Sequence, residues 1–528
     1  MSRFFLPLTL LTLLALQPSW CWAAETDPRI GQAEERIEAW RLAEAQEIVA
    51  ALLSENPRSA EALDLSARVH FYQGRYDEAL KLHEQALAID AKNDRRQALR
   101  LFAQRTLDTL KKLKRFESEH FIVYLDEERD GILLPYVLDT LEKSFRSIGR
   151  ALGYSPASKV RVEIAPDVAS FNAISTLSLR DIEETGAVGI CKFNKIMTIS
   201  PRVLLQGYRW LDSLSHEYLH HAIVPLSDNK APIWLHEGMA RFYETLWRRA
   251  ETAKMREDYL SPANRTLLAQ ALDRDKFVGF KKMEPSLIYL ETPEQVQLAY
   301  AEAASAIDFF IQRKGEAGVR ELLSELRSKP TPEAIEKVVG LPFAAFETEW
   351  KRFLRAKGFK EIEGARVRRF KVRESQKADE ETVELREIQS VVARNRTHLA
   401  DQMLERGRSA AAAQEYRRAL QASPHSPIIL NKLARLLIRQ AKYQEALPHL
   451  QRALELDPDS GGTLVQLGRL YHGMKNFAAG KAALEEAIQI NPFNPEIYRL
   501  LHDIYSALGN EAEAKSARTT LERLIRMR

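Results

Sequence analysis

Three stretches near the carboxyl end decide the architecture. Residues 409–424 read SAAAAQEYRRALQASP, residues 443–458 read YQEALPHLQRALELDP, and residues 477–492 read FAAGKAALEEAIQINP. Superimposed, they bring Ala412, Ala446 and Gly480 to one position, Ala419, Ala453 and Ala487 to a second, and Pro424, Pro458 and Pro492 to a third, with a step of 34 residues. Ala434 and Gly468 keep the same register. Small residues belong where two helices cross closely, and proline where a helix stops, because its ring clashes with the preceding turn and it has no N–H to donate. One such helix-turn-helix cannot bury its apolar face alone, so the period predicts a stack. A weaker unit with Gly509 and Ala514 follows, as expected of a terminal cap, which gives about four units over 395–528.

This pattern resembles the tetratricopeptide repeat. The same signature stands near the start in Gly74, Tyr76, Ala79 and Ala86, with Ala45 and Pro57 one period earlier, and predicts about two repeats over 30–95. Such arrays form concave surfaces that engage proteins or peptides and carry no chemistry themselves.

With 528 residues the chain exceeds what one core organises, so several domains are expected. The 77 basic residues nearly cancel the 73 acidic ones, so no global field would draw in nucleic acid. The densest basic run, Arg366 to Arg373, reads as a solvated strand or linker face. Residues 1–24 combine Arg3, an apolar run from Phe4 to Leu16 and the small pair Ala23–Ala24, the makeup of a secretory signal peptide. The expectation is an exported, periplasmic protein, with full secretion as the alternative. No transmembrane segment is expected after signal cleavage, since no later run is long and apolar enough. Cys21 follows the bulky Trp20, which argues against lipidation, and cleavage would leave Cys191 alone.

Between the arrays the periodicity changes. Phe121–Leu125 and Val160–Ile164 are short β-rich runs separated by a helical stretch from about Leu133 to Leu152. A third extended run, Gly189 to Ile199, leads into helical sequence that continues past His221 and resumes to about Leu354. The expected fold class is an α+β domain over 116–356 set between two all-α repeat arrays, helical overall. A charged linker that becomes helical is expected over 357–394.

His216, Glu217 and His220 form an HExxH string on a predicted helix, where the four-residue step puts both imidazoles on one face, one turn apart. A catalytic zinc takes three protein ligands and keeps one place open, so a third ligand must come from elsewhere. Glu237 is the candidate: it lies in Trp234-Leu-His-Glu-Gly-Met-Ala240, which begins a second helix after a turn holding Asp228, Asn229 and Pro232. Glu217 then stays off the metal as the general base of amide hydrolysis. His221 points about 100° away from His220 and reads as a packed histidine. His236 reads as a helix-start residue supporting a ligand from behind.

Over roughly 116–356 the chain resembles the gluzincins of peptidase clan MA, and among them bacterial metallopeptidase-like domains fused to tetratricopeptide repeats. The resemblance rests on the HExxH helix, the Trp-x-x-Glu-Gly-x-Ala run from Trp234 to Ala240, the glycine-containing strand before the first helix, and Tyr300 on a later helix ending near Gly315. It implies zinc on His216, His220 and Glu237, Glu217 as base, the run Gly189–Ile199 as an edge strand beside the cleft, and a catalytic hydroxyl from Tyr300. Cys191 on that strand reads as a small apolar residue rather than a reactive thiol. The spacing from His220 to Glu237 and the lack of a Gly-x-Met-Glu-Asn-like run argue against an aminopeptidase. The reading is a zinc endopeptidase whose repeats recruit protein substrates or partners. The alternative is a non-catalytic repeat scaffold with a structural or vestigial zinc site.

Overall fold

The computed structural model describes residues 27–175, 177–249, 259–367, 371–372 and 380–527. The expected signal peptide, and Arg368, Arg369 and Arg373 of the basic run, lie outside them. The architecture is predominantly helical. It opens on two antiparallel helix pairs, Pro28–Glu38 with Leu42–Glu55 and Ala60–Tyr72 with Tyr76–Ile89, followed by Asp94–Leu110. Side-chain caps start these helices where the sequence supplies them: Asp27 accepts from the Arg29 N–H, Ser59 from Ala62 and Asn93 from Arg96. Ala45, Ala79 and Ala86 are fully buried, so the small residues do stand at helix crossings.

The carboxyl-terminal array is four helix pairs: Val391–Glu405 with Ser409–Ala422, Pro427–Arg439 with Tyr443–Leu456, Gly461–Gly473 with Phe477–Ile488, and Pro495–Ala507 with Glu511–Arg526. The alanines of the period, Ala412, Ala419, Ala434, Ala446, Ala453 and Ala487, are all completely buried. At Gly468 a β-carbon would come within 2.5 Å of Leu484 Cδ2, so the glycine sets the approach of the two helices.

Between the arrays lies a mixed sheet of five strands, β1 (Lys114–Glu117), β2 (Phe121–Leu125), β3 (Val160–Ala165), β4 (Gly189–Lys192) and β5 (Lys195–Ile199), in spatial order β1-β2-β3-β5-β4. The pairs β2/β3 and β3/β5 are parallel and the two outer pairs antiparallel. A parallel pair needs a crossover, which helix α1 (Leu134–Leu152) supplies between β2 and β3. The extended run Gly189–Ile199 is not one edge strand but a hairpin. Phe193 and Asn194 both take left-handed φ, 56° and 55°, and fold β4 back onto β5, so that β5 is interior and β4 is the edge at this side of the sheet.

The helices that follow are α2 (Trp210–Ser227), α3 (Ile233–Tyr243) and α4 (Pro293–Leu326), the last broken at Gly315, where φ is 65° and ψ −176°. Asp228 and Asn229 at left-handed φ end α2 and turn the chain back into α3. No helix among the described residues is long and apolar enough to cross a membrane.

Both arrays are docked on this central part. Tyr76 of the first array donates to Glu163 of β3 at 2.7 Å, and the other carboxylate oxygen of Glu163 takes Lys195 of β5 at 2.6 Å, both charges fully buried. Phe193 at the hairpin turn packs among Phe71, Tyr72 and Phe102. On the other side the Trp210 indole donates to the Ile488 carbonyl at 2.9 Å, the Tyr208 N–H to that of Ile490 at 3.0 Å, and Arg209 spans Asp459 and Glu486. One apolar core runs from Phe121 and Leu219 through to Leu484, Tyr498 and Ile504 of the last repeats. The charged stretch after Lys357 lies along these surfaces: Ile362 N–H donates to Thr266 Oγ1 at 3.0 Å and Leu205 N–H to the Lys371 carbonyl at 2.9 Å, before a short helix, Glu380–Glu387.

Candidate metal centre

Helix α2 carries His216 and His220 one turn apart, their ring centroids 4.9 Å from each other. Helix α3 returns antiparallel beside it and brings Glu237 between them, with Oε2 3.4 Å from His216 Nε2 and 3.7 Å from His220 Nε2. Ligand bonds of about 2.1 Å in tetrahedral geometry place neighbouring donors about 3.4 Å apart; Glu237 Oε2 stands near that distance from both imidazoles, and the three donor atoms all lie within 4.8 Å of one another. Glu237 Oε2 is buried and makes no hydrogen bond, an acceptor whose position is explained by a cation at this point. The three residues named from the sequence as metal ligands are thus brought together, and they fit the ion.

What holds Glu237 in place is the contact of α3 with α4. A β-carbon at Gly238 would stand 2.6 Å from the Ala303 carbonyl oxygen, so the helices meet backbone to backbone and only glycine fits. Tyr300 lies one turn before Ala303 on α4, on the same face. Its ring carries the Arg241 guanidinium 5.0 Å from its centroid, and burial first, then the charge of Glu237, raises its phenol far above the ordinary range.

Two residues that the sequence reading passed over complete the centre. Glu244 Oε2 lies 2.9 Å from Nδ1 of His216, fixing the ring so that Nε2 points at Glu237, and Arg241 pairs with Glu244 at 3.1 Å. A carboxylate behind a ligating imidazole orients the ring and raises its basicity. The signal was present: Glu237, Arg241 and Glu244 fall at four and seven residues along α3, one helical face. Burial opposes a charge on His216, but the carboxylates of Glu237 and Glu244 outweigh it and push its pKa up to about 10.

Glu217 is buried beside the ligands, and burial raises its carboxyl against the lowering pull of His220 and His216. The edge strand passes directly over it. A β-carbon at Gly189 would meet Glu217 Oε1 at 2.7 Å, and the Cys191 backbone N–H bonds to the carboxylate. Cys191 is half-buried, and burial drives its thiol pKa well up, away from thiolate. His221 is a packed residue: its Nδ1 meets the Tyr154 hydroxyl at 3.0 Å, Trp40 of the first array lies 5.0 Å from its ring, and burial pushes its pKa down to about 3. His236 Nδ1 stands 3.4 Å from His220 Nδ1, behind that ligand. A second acid-histidine group among the described residues, Glu119, His120 and Glu142, is self-satisfied, with His120 Nδ1 2.8 Å from Glu142 Oε2 and its ring stacked on Phe145.

Comparison with known proteins finds the repeats. Family models described as tetratricopeptide repeat match residues 437–504, 399–461 and 59–89, ranges that fall in the two arrays, so the chain carries tetratricopeptide repeats. Among solved structures it is similar to a thermophilic TPR protein of Thermus thermophilus, at 22% identity over 25% of this chain and 74% of that one, TM-score 0.24. Similar too are a crystal structure of MamA, at 19% identity over 27% and 87% of the two chains, TM-score 0.25, and a MamA from Desulfovibrio magneticus, at 16% over 26% and 97%, TM-score 0.18. No curated protein matches.

Proposed function

We propose that this chain is a repeat scaffold built around a gluzincin-like zinc peptidase, with the catalytic part over 116–356 and the arrays engaging protein substrates or partners. The repeat part has the family matches behind it. The observation that carries the peptidase part is the convergence of His216, His220 and Glu237 with a buried, unligated Glu217 beside them. A zinc ion on those three residues would supply a Lewis-acidic, water-activating centre. Glu217 is the group that accepts the proton of the attacking water and returns it to the leaving amine. Gly189 and Cys191 hold the edge strand against Glu217, so an extended peptide beside β4 would run past the base. Tyr300, raised far above ionisation, keeps its proton and can donate a hydrogen bond to the developing oxyanion. An exported, periplasmic chain belongs to the same reading.

The second reading is a protein-interaction scaffold whose zinc site is structural or vestigial. It is favoured by the family matches, which speak for the repeats alone. One experiment separates the two: zinc content and casein cleavage by the purified chain and by Glu217→Gln, which keeps every ligand. Zinc in both with cleavage by the parent only upholds the peptidase. Zinc in both with cleavage by neither upholds the scaffold, and no zinc in the parent after reconstitution overturns the metal centre.

A further inference from the structure

A cavity of about 440 Å³ opens at the seam between α1 and the last two repeats, close to the amino-terminal end of α2. Tyr136, Trp247, Tyr498 and Tyr505 line it, and Glu485 and Glu513, both exposed, stand at its mouth. Of the other charged residues on its wall, Lys143 is taken by Asp139 at 2.6 Å, and with Glu485 met by Lys481 at 3.6 Å it is Glu513 that leaves the mouth net acidic. Glu485 accepts the Tyr505 hydroxyl at 3.1 Å, and Lys481, 3.6 Å from Glu485, lies 5.7 Å from the Tyr505 ring centre: an ammonium already rests against one outer edge of this lining.

We propose that this cavity binds an amphipathic organic cation, an ammonium or guanidinium group borne on an apolar body. The aromatic lining offers ring faces to the charge and area to the body. Glu513 offers an ion pair at the mouth, and Glu485, shared there with Lys481, a second carboxylate. The volume falls within the range of about 300–1,000 Å³ that small-ligand sites occupy. Trp247 also holds Asp212 of α2 at 2.9 Å, so an occupant would brace the docking of the repeats onto the metal-bearing helix whether or not that metal turns over substrate.

Calorimetric titration of the full chain tests this with tryptamine, with indole-3-propionate, which has a similar body and opposite charge, and with acetyl-Phe-Lys-amide as a peptide-borne cation. Single-site binding of a cation, at least about tenfold tighter than the carboxylate, is expected. Tighter tryptamine assigns the site to a free amine, and a tighter peptide to the side chain of a protein partner. Glu485→Gln with Glu513→Gln should weaken binding about tenfold or more. These exposed changes leave the fold intact, which an unchanged melting curve verifies, and Ser516→Trp at the mouth should block entry. Failure of both cations to saturate at millimolar concentration, equal affinity for the carboxylate, or undiminished binding by the glutamine variant overturns the proposal.

Discussion

Glu244 Oε2 sits 2.9 Å behind Nδ1 of His216, whose other nitrogen faces Glu237 at 3.4 Å. Two carboxylates therefore bracket one imidazole, one at each ring nitrogen. Removing such a support typically costs about 10–100-fold in metal affinity. Glu244→Ala should show that loss in a chelator competition while the melting curve keeps its shape. Unchanged affinity would mean that packing alone orients the ring.

The meeting of α3 and α4 at Gly238 and Ala303 leaves no room for a methyl group. Gly238→Ala should push the helices apart and destabilise the protein by about 1–3 kcal/mol, as overpacking does. It should also lower zinc content, because Glu237 is the neighbouring residue. Urea unfolding and metal analysis of the same sample would check both, and parental zinc content in a destabilised variant would separate the helix contact from ligand placement.

Between the first array and the sheet, Lys195 and Glu163 form a fully buried pair. Breaking such a pair from one side costs about 3–5 kcal/mol, since the remaining charge is stranded. Lys195→Met should show that loss in denaturant unfolding, and Lys195→Met with Glu163→Leu should recover most of it. A single variant as stable as the parent would contradict the buried charges.

Asp130 is fully buried below the end of β5, where its Oδ1 accepts from Ser200 at 2.8 Å, and burial pushes its pKa up to about 7 from an ordinary 3.8. Between those values the folded chain retains a proton that the unfolded chain has released, so this group's contribution to stability falls as pH rises through that window. Asp130→Asn, which never ionises, should abolish the fall. Relative to the parent it should gain up to about 4 kcal/mol between pH 4 and 7, three pKa units at about 1.4 kcal/mol each. Thermal melts of both proteins across the window would show whether their difference follows this slope.

The repeats were legible because their physics is local in the chain. Each helix pair closes within one period, so Ala412, Ala446 and Pro458 announce their crossings and stops in sequence order. His216, Glu217, His220 and Glu237 were legible for a related reason: a helix face and one turn suffice to define their spacing. The hairpin at Phe193 and Asn194 was missed because neither residue is glycine, and the left-handed turn is upheld by Phe193 docking among Phe71, Tyr72 and Phe102 of the first array.

Sequence by itself determined which segments are repeats, and it put His216, His220 and Glu237 at a spacing that lets them converge. Tertiary structure alone decided that both arrays are fused to that centre, that Gly238 places Glu237, and that an aromatic, acidic cavity lies at the seam. The reason is distance along the chain. Tyr76 bonds to Glu163 across 87 residues, Arg41 to Asp228 across 187 and Trp210 to Ile488 across 278, and no local pattern of side chains encodes which of many exposed partners such groups will meet.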